Sequence, residues 1–203
     1  MAARQVVIVV TNTIVGQYEA RSYPDEQKDA SGYYNLYKVP IYRILVTGKD
    51  DTGNSVSGEY RAPRFMPYYN NPKRPSLHYK TLGWINCGLS STQRVVISRY
   101  RRDYQVQNRY SPGIGAIVVH DTFYIHAGPA TPSDVGFGSA GCIEIIGNFD
   151  VFKDAIVRMS GIVGVSRDDA ITQLVKERKL IVEIEQARVP DIKSLYSRKI
   201  KDW

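Results

Sequence analysis

The sequence predicts an α+β fold, mainly antiparallel β, with two helices placed late in the chain. Three observations lead to it. Up to residue 147, short runs of β-branched and aromatic residues alternate with clusters of Gly, Pro, Asn and Asp. Apolar residues at helical spacing start only at residue 149. Tyrosine occurs 15 times, and a side chain with an apolar body and a polar tip suits a β-rich domain with an open groove.

The elements follow in order. Residues 5–10 (QVVIVV) read as a buried strand, and 13–18 (TIVGQY) as its continuation into a second one. Residues 21–34 are polar, carry Pro24 and Gly32, and read as a loop. Residues 35–47 are β-branched and aromatic, and Pro40 predicts an edge position or a break there. The turn-type cluster 48–54 (GKDDTGN) and the run 55–62 complete a hairpin. Four prolines between 63 and 80 predict an irregular covering loop. Residues 84–87 and 94–98 read as short strands, and 99–110 (RYRRDYQVQNRY) alternates basic and aromatic residues.

After the turn 111–113, residues 117–119 and 123–126 form a predicted hairpin around His120-Asp121-Thr122, stopped by Gly128-Pro129. Residues 143–146 (IEII) make another β run. Phe149, Phe152, Ile156 and Met159 then share one helical face, with Asn148 or Asp150 as N-cap. Ser166-Arg167-Asp168-Asp169 resembles a capping motif that opens a second helix reaching residue 179. Residues 180–189 read as a strand stopped by Pro190. The expectation is one domain over 1–190 and a peripheral basic tail over 191–203.

Bulk properties narrow the function. A net charge of +7 points to an anionic partner (nucleic acid, membrane surface or an acidic polymer such as cell wall) or serves solubility alone. Local basic density falls at Arg99, Arg101, Arg102 and Arg109. Such a run binds nucleic acid through phosphates and stacking, but is more often a solvated strand face, so nucleic acid is not expected as the partner. The longest early apolar run, 6–10, is too short for a membrane span or a signal-peptide core. The three histidines and two cysteines show no metal-ligand spacing, so no metal is expected. Cys87 and Cys142 are too few for a disulfide scaffold; a single bridge between them stays open.

The chemistry-bearing stretch is 115–150. A thiol is nucleophilic as thiolate and needs a nearby base. His126 precedes Cys142 by 142 − 126 = 16 residues, enough for a strand, a loop and a return strand to bring the two together. Imidazole titrates near neutrality and can take the thiol proton and return it to a leaving amine. Small residues at 138–141 admit a substrate, and backbone N–H groups near Gly141 and Cys142 can stabilise an oxyanion. Cys87 is the rival nucleophile, but residues 88–98 do not read as the helix that a papain-like site requires. His120, in its turn, is expected to be solvated. His78, after the Pro-rich loop, is a minor candidate for lining the site.

Ile125-His126, then Ser139-Ala140-Gly141-Cys142-Ile143, then Asn148-Phe149-Asp150 occur in the order of the catalytic signature of the L,D-transpeptidase (YkuD-type) family, which residues 111–160 resemble. The resemblance implies a β-sandwich-like catalytic domain that needs no cofactor. It implies a cysteine that attacks a carbonyl of the peptidoglycan stem peptide, forming a thioester that an amine or water resolves. On this mapping Cys142 is the nucleophile and His126 the base. The carbonyl of Ala127 orients the imidazole, Ser139 and Gly141 shape the oxyanion site, and Tyr124, Glu144 and Arg109 contact substrate. Ala140 stands where the family often has histidine. Glu144 stands where Asn or Arg is common, which favours an amine-bearing group or pairing with Arg109 or another arginine. Synthesis in the cytoplasm and action in the periplasm or at the cell wall after export fit an antibacterial effector with an immunity protein as partner. The competing expectation is a non-catalytic module binding cell wall or another polyanion on the same fold.

Overall fold

A computed structural model describes residues 3–21, 30–65, 91–105, 113–121, 123–135, 142–188, 190 and 196–201. Two sheets and two helices share one apolar core. The larger sheet contains β1 (Val6–Arg21), β2 (Tyr34–Lys49), β3 (Ser55–Pro63), β4 (Gln93–Val96), β9 (Leu180–Ile184) and β10 (Tyr196–Ile200), in the order β10-β2-β1-β9-β4, with β3 also paired to β2. The smaller sheet runs β5 (Tyr100–Arg101), β6 (Ala116–His120), β7 (Phe123–Ala127), β8 (Ile143–Ile145). All pairings are antiparallel except β1 with β9 and β7 with β8. The fold class expected from sequence, mainly antiparallel α+β with two late helices, is therefore met at that level.

The two early runs expected as separate strands are one strand. β1 continues through irregularities between Val10 and Ile14 and between Ile14 and Gly16. A bulge leaves backbone groups without ladder partners, and side chains supply them here. Arg64 donates to Thr11 O (3.1 Å) and to Glu185 O (2.7 Å), and Asn12 N donates to Glu185 Oε2 (2.9 Å). Before the bulge, Val6, Ile8 and Val10 enter the main core; after it, Tyr18 and Ala20 join Tyr37, Val39, Ile41 and Ile146 in a second cluster.

Pro40 neither breaks β2 nor lies at its end. It pairs with Gln17 of β1. The other edge of β2 pairs with β3 from Ile41 onward and with β10 up to Tyr37, so Pro40 occupies the gap between them and its missing N–H costs no ladder bond. The hairpin β2–β3 forms as expected, and Asp50 Oδ1 accepts from the N–H groups of Thr52 (2.9 Å) and Asn54 (2.8 Å) in its turn. Residues 196–200, inside the stretch expected as a tail, add the edge strand β10.

Helix α1 (Phe149–Ser160) starts at Asn148, whose side chain accepts from Asp150 N at 2.9 Å, and stops at Gly161 with φ 69°. Its buried residues include Phe149, Phe152, Ile156 and Met159, the face read from the sequence. Each contributes about 2 kcal/mol by burial. Helix α2 (Arg167–Lys176) is capped by Ser166, which accepts from Asp169 N at 3.2 Å and donates to Asp169 Oδ2 at 2.6 Å. It ends short of residue 179 because Arg178 takes φ 57° and Lys179 N turns back to Leu174 O.

Three contacts fix the small sheet against this frame. Ile146 N donates to Arg61 O of β3 at 2.8 Å, and the half-buried His120, expected to be solvated, has Nε2 2.8 Å from Gln93 Oε1 of β4. The buried ammonium of Lys153 on α1 reaches Ile114 O (2.8 Å), Asp150 Oδ1 (3.1 Å) and Asp168 Oδ1 (3.3 Å), while Tyr100 Oη donates to the same Asp168 oxygen (2.6 Å). One cation thus joins both helices, β5 and the entry to β6.

Candidate active site

The site lies on one face of the small sheet. In β7 and β8 alternate residues point to opposite sides. Ile125, Ala127, Ile143 and Ile145 enter the main core. Tyr124, His126 and Glu144 therefore share the other face, and Cys142, one step before β8, continues it.

The strands run parallel, with Ile125 opposite Ile143 and His126 opposite Glu144. The sequence suggested a return strand; the pairing of β7 with β8 is parallel instead. The same register extended by one residue sets Cys142 beside Tyr124, and Tyr124 N donates to Cys142 Sγ at 3.4 Å. His126 is one step further along the same face, making the sulfur and the imidazole diagonal neighbours. Gly128 allows the close approach of the crossover to β8: a Cβ there would stand 2.9 Å from the Cβ, carbonyl carbon and carbonyl oxygen of Glu144.

His126 is 1 % exposed, and its Nδ1 is 2.8 Å from Ala127 O. A carbonyl oxygen only accepts, so Nδ1 carries the proton and Nε2 keeps its lone pair. Burial pushes the imidazole pKa down to about 4, opposed in part by the Ala127 bond. The ring is therefore neutral at pH 7, the form able to accept a proton. Cys142 is buried, at 7 % exposure.

Glu144, expected to face a substrate amine, is buried at 4 % exposure. Its charge acts on two phenols. Tyr18 of β1 is pushed up by burial first and by Glu144 second. Tyr104, in the turn after β5, is pushed up to about 12 by burial, then by the Cys142 charge, with Tyr124 and Glu144 adding and Arg101 opposing. Tyr104 covers the pair: its ring centroid is 5.5 Å from that of His126 and 5.1 Å from that of Tyr124.

The structure thus assembles His126, Ala127, Cys142, Tyr124 and Glu144. Ser139, Gly141 and Arg109, along with Ala140, Cys87 and His78, lie outside the described residues. Sequence reasoning missed Tyr104, Arg101 and Tyr18. The first two sit in the basic-aromatic run read as a solvated face; its position directly before the hairpin that carries His126 was the available signal. Tyr18 comes from a strand more than a hundred residues away and has no local signal. Among the described residues, no group of His, Cys, Asp and Glu could hold a metal ion. No family model matches the chain, no curated protein matches it, and no solved structure matches its fold.

Proposed function

We propose that the chain is a cysteine-dependent acyl-transfer enzyme of L,D-transpeptidase type, on that family's β-sandwich-like fold, acting on peptidoglycan stem peptides. One observation carries the reading: a buried cysteine and a neutral imidazole, with Nδ1 held by the Ala127 carbonyl and Nε2 left basic, are diagonal neighbours on the same sheet face. His126 Nε2 takes the Cys142 proton as the sulfur attacks the stem carbonyl. The tetrahedral intermediate collapses to a thioester, and His126 returns the proton to the leaving amine. Water or a second amine then attacks the thioester, loses its proton to His126, and releases the thiol. The proposed setting is the periplasm or cell wall after export, as an antibacterial effector with an immunity protein.

A second reading, a non-catalytic module on the same fold, is favoured by the low exposure of both Cys142 and His126. The deciding experiment incubates wild type and Cys142→Ala with peptidoglycan and reads the muropeptides by mass spectrometry. The enzyme gives shortened stems, exchanged terminal residues or new crosslinks, at a rate that falls about 10³-fold or more in Cys142→Ala. Unchanged wall with both proteins, alongside equal binding of both to it, establishes the module.

A further inference from the structure

Cys142 and His126 are buried, so a reagent or a ligand reaches them only if a covering group moves. Among the described residues Tyr104 is that group. Its ring centroid is 5.5 Å from that of His126 and 5.1 Å from that of Tyr124, whose backbone N–H touches the sulfur. Tyr104 follows the turn Arg102-Asp103, which leaves the two-residue strand β5. The pairing of β5 with β6 covers only Tyr100 with Ile117 and Arg101 with Ala116, and Gly115 N donates to Tyr104 O at 2.8 Å. So short a ladder fixes a turn weakly. The remaining ties are side-chain contacts to helix α2.

Those ties are of two kinds. The half-buried Tyr100 passes over Gly115 and donates from Oη to Asp168 Oδ1 at 2.6 Å; a Cβ on Gly115 would stand 2.5 Å from the phenol oxygen. The same Asp168 oxygen meets the buried Lys153 ammonium, so this tie belongs to the interior. Arg102 is exposed. Its Nη2 donates to Asp169 Oδ1 (2.5 Å) and to Thr172 Oγ1 (3.0 Å), and its Nε donates to Thr172 Oγ1 (3.2 Å). An ion pair between exposed side chains is weak, and salt screens it. The turn is therefore anchored to the core on its β5 side, and by a contact that dissolved ions weaken at its tip.

We infer that Arg102 is a positioning residue: by tying the turn to α2 it holds the Tyr104 ring over Cys142 and His126, and its release opens the thiol to solvent. Arg102 acts through Tyr104, two residues further on, and its own contacts lie on α2. Ionic strength then controls access to the sulfur. The inference stands on the geometry of the turn; it rests on the proposed acyl transfer only in that a stem peptide would enter by the same opening.

The test is alkylation of the folded protein by iodoacetamide, read at Cys142 by peptide mass spectrometry so that Cys87 is counted separately. At low salt Arg102→Gln is expected to be labelled about 2- to 5-fold faster than wild type, the range of a lost surface ion pair. Raising sodium chloride to about 0.5 M accelerates wild type to a similar extent and leaves Arg102→Gln unchanged. Arg102→Lys, which keeps the charge, stays near wild type. Loss of a cation near a thiol lowers its thiolate fraction, so an effect of charge alone slows the reaction, and acceleration reports opening. Labelling through local opening is nearly independent of urea below the unfolding transition, whereas labelling through global unfolding climbs with it. An unchanged or slower rate in Arg102→Gln, a wild-type rate that ignores salt, an acceleration that climbs with urea, or no labelling of the folded proteins overturns the inference. The two proposals fail separately. Faster labelling of Arg102→Gln while wild type leaves peptidoglycan unchanged removes the enzyme reading and keeps the positioning role; turnover of peptidoglycan with equal labelling does the reverse.

Discussion

The two faces of the small sheet are built from alternate residues of the same strands, yet they obey different rules. On the core face Ile125, Ala127, Ile143 and Ile145 join the main apolar core, and their burial stabilises the fold. On the other face His126, Cys142 and Glu144 are nearly as well covered, with Tyr124 half-buried beside them, but these side chains are polar and must be satisfied locally. The same contrast separates the two cations nearby. Lys153 is buried and touches two carboxylates and a carbonyl; Arg101 is exposed and lies on two rings with no carboxylate among the described residues. Lys153, which holds the fold, is surrounded by oxygen acceptors, whereas Arg101 is oriented by two rings and stays exposed.

That contrast is broken most sharply at two adjacent residues. Ile143→Ala, on the core face, is expected to cost about 2–5 kcal/mol in chemical denaturation. Cys142→Ala, one residue earlier, removes a single sulfur atom and should cost about 1 kcal/mol or less while abolishing turnover. A large stability loss in Cys142→Ala would mean that the site face is simply more core.

The next effect depends on pH. The folded pKa of His126 is about 4 against an ordinary value of 6.5, so between these values the unfolded chain binds the extra proton. Its contribution is present in full above pH 6.5 and is lost as pH falls toward 4. From pH 7 to pH 5 the loss is about 2 kcal/mol, and it should vanish in His126→Gln. The carboxylates held below their usual range, Glu19, Asp50, Asp150 and Asp169, act in the same direction but only below about pH 5, near and under their unfolded values. Urea denaturation midpoints at pH 7 and pH 5 for both proteins give the answer.

A third effect sharpens the comparison at the seam. Gly128→Ala places a methyl group against the Glu144 backbone, and β7 and β8 must separate to admit it. The expected cost is about 1–3 kcal/mol, with turnover falling further than stability alone explains, because the sulfur and imidazole are carried on those two strands. Thermal denaturation and turnover of the same sample separate the two effects.

Much of this was legible from local sequence. The hairpin around residues 120–122, the Asn148 cap and the Ser166 capping box each lie within a few residues of the atoms that form them. The parallel pairings were not legible, because β7 with β8 and β1 with β9 join segments whose partner is set by the global fold. The burial of Glu144 beside Tyr18 escaped for the same reason. Arg101 and Tyr104 were visible as a basic-aromatic run, but an alternating charge pattern looks the same on a solvated edge and on a ligand-facing one. What distinguishes them is the presence of a second tyrosine, Tyr124, brought over from another strand.

The parallel pairing of β1 with β9 also orders events in time. Val6 faces Leu180 and Val10 faces Ile184. During synthesis the first strand emerges early, and its inner edge has no partner until residue 184 has been made. The hairpin partner β2 can cover only the other edge. A nascent chain carrying both His126 and Cys142 therefore still lacks β9, the strand that joins β1 to β4, and a chaperone that shields an unpaired β edge would act until β9 is made. The thiol and the imidazole are made well before the frame that positions them, so their arrangement is expected to form only after β9 has been made.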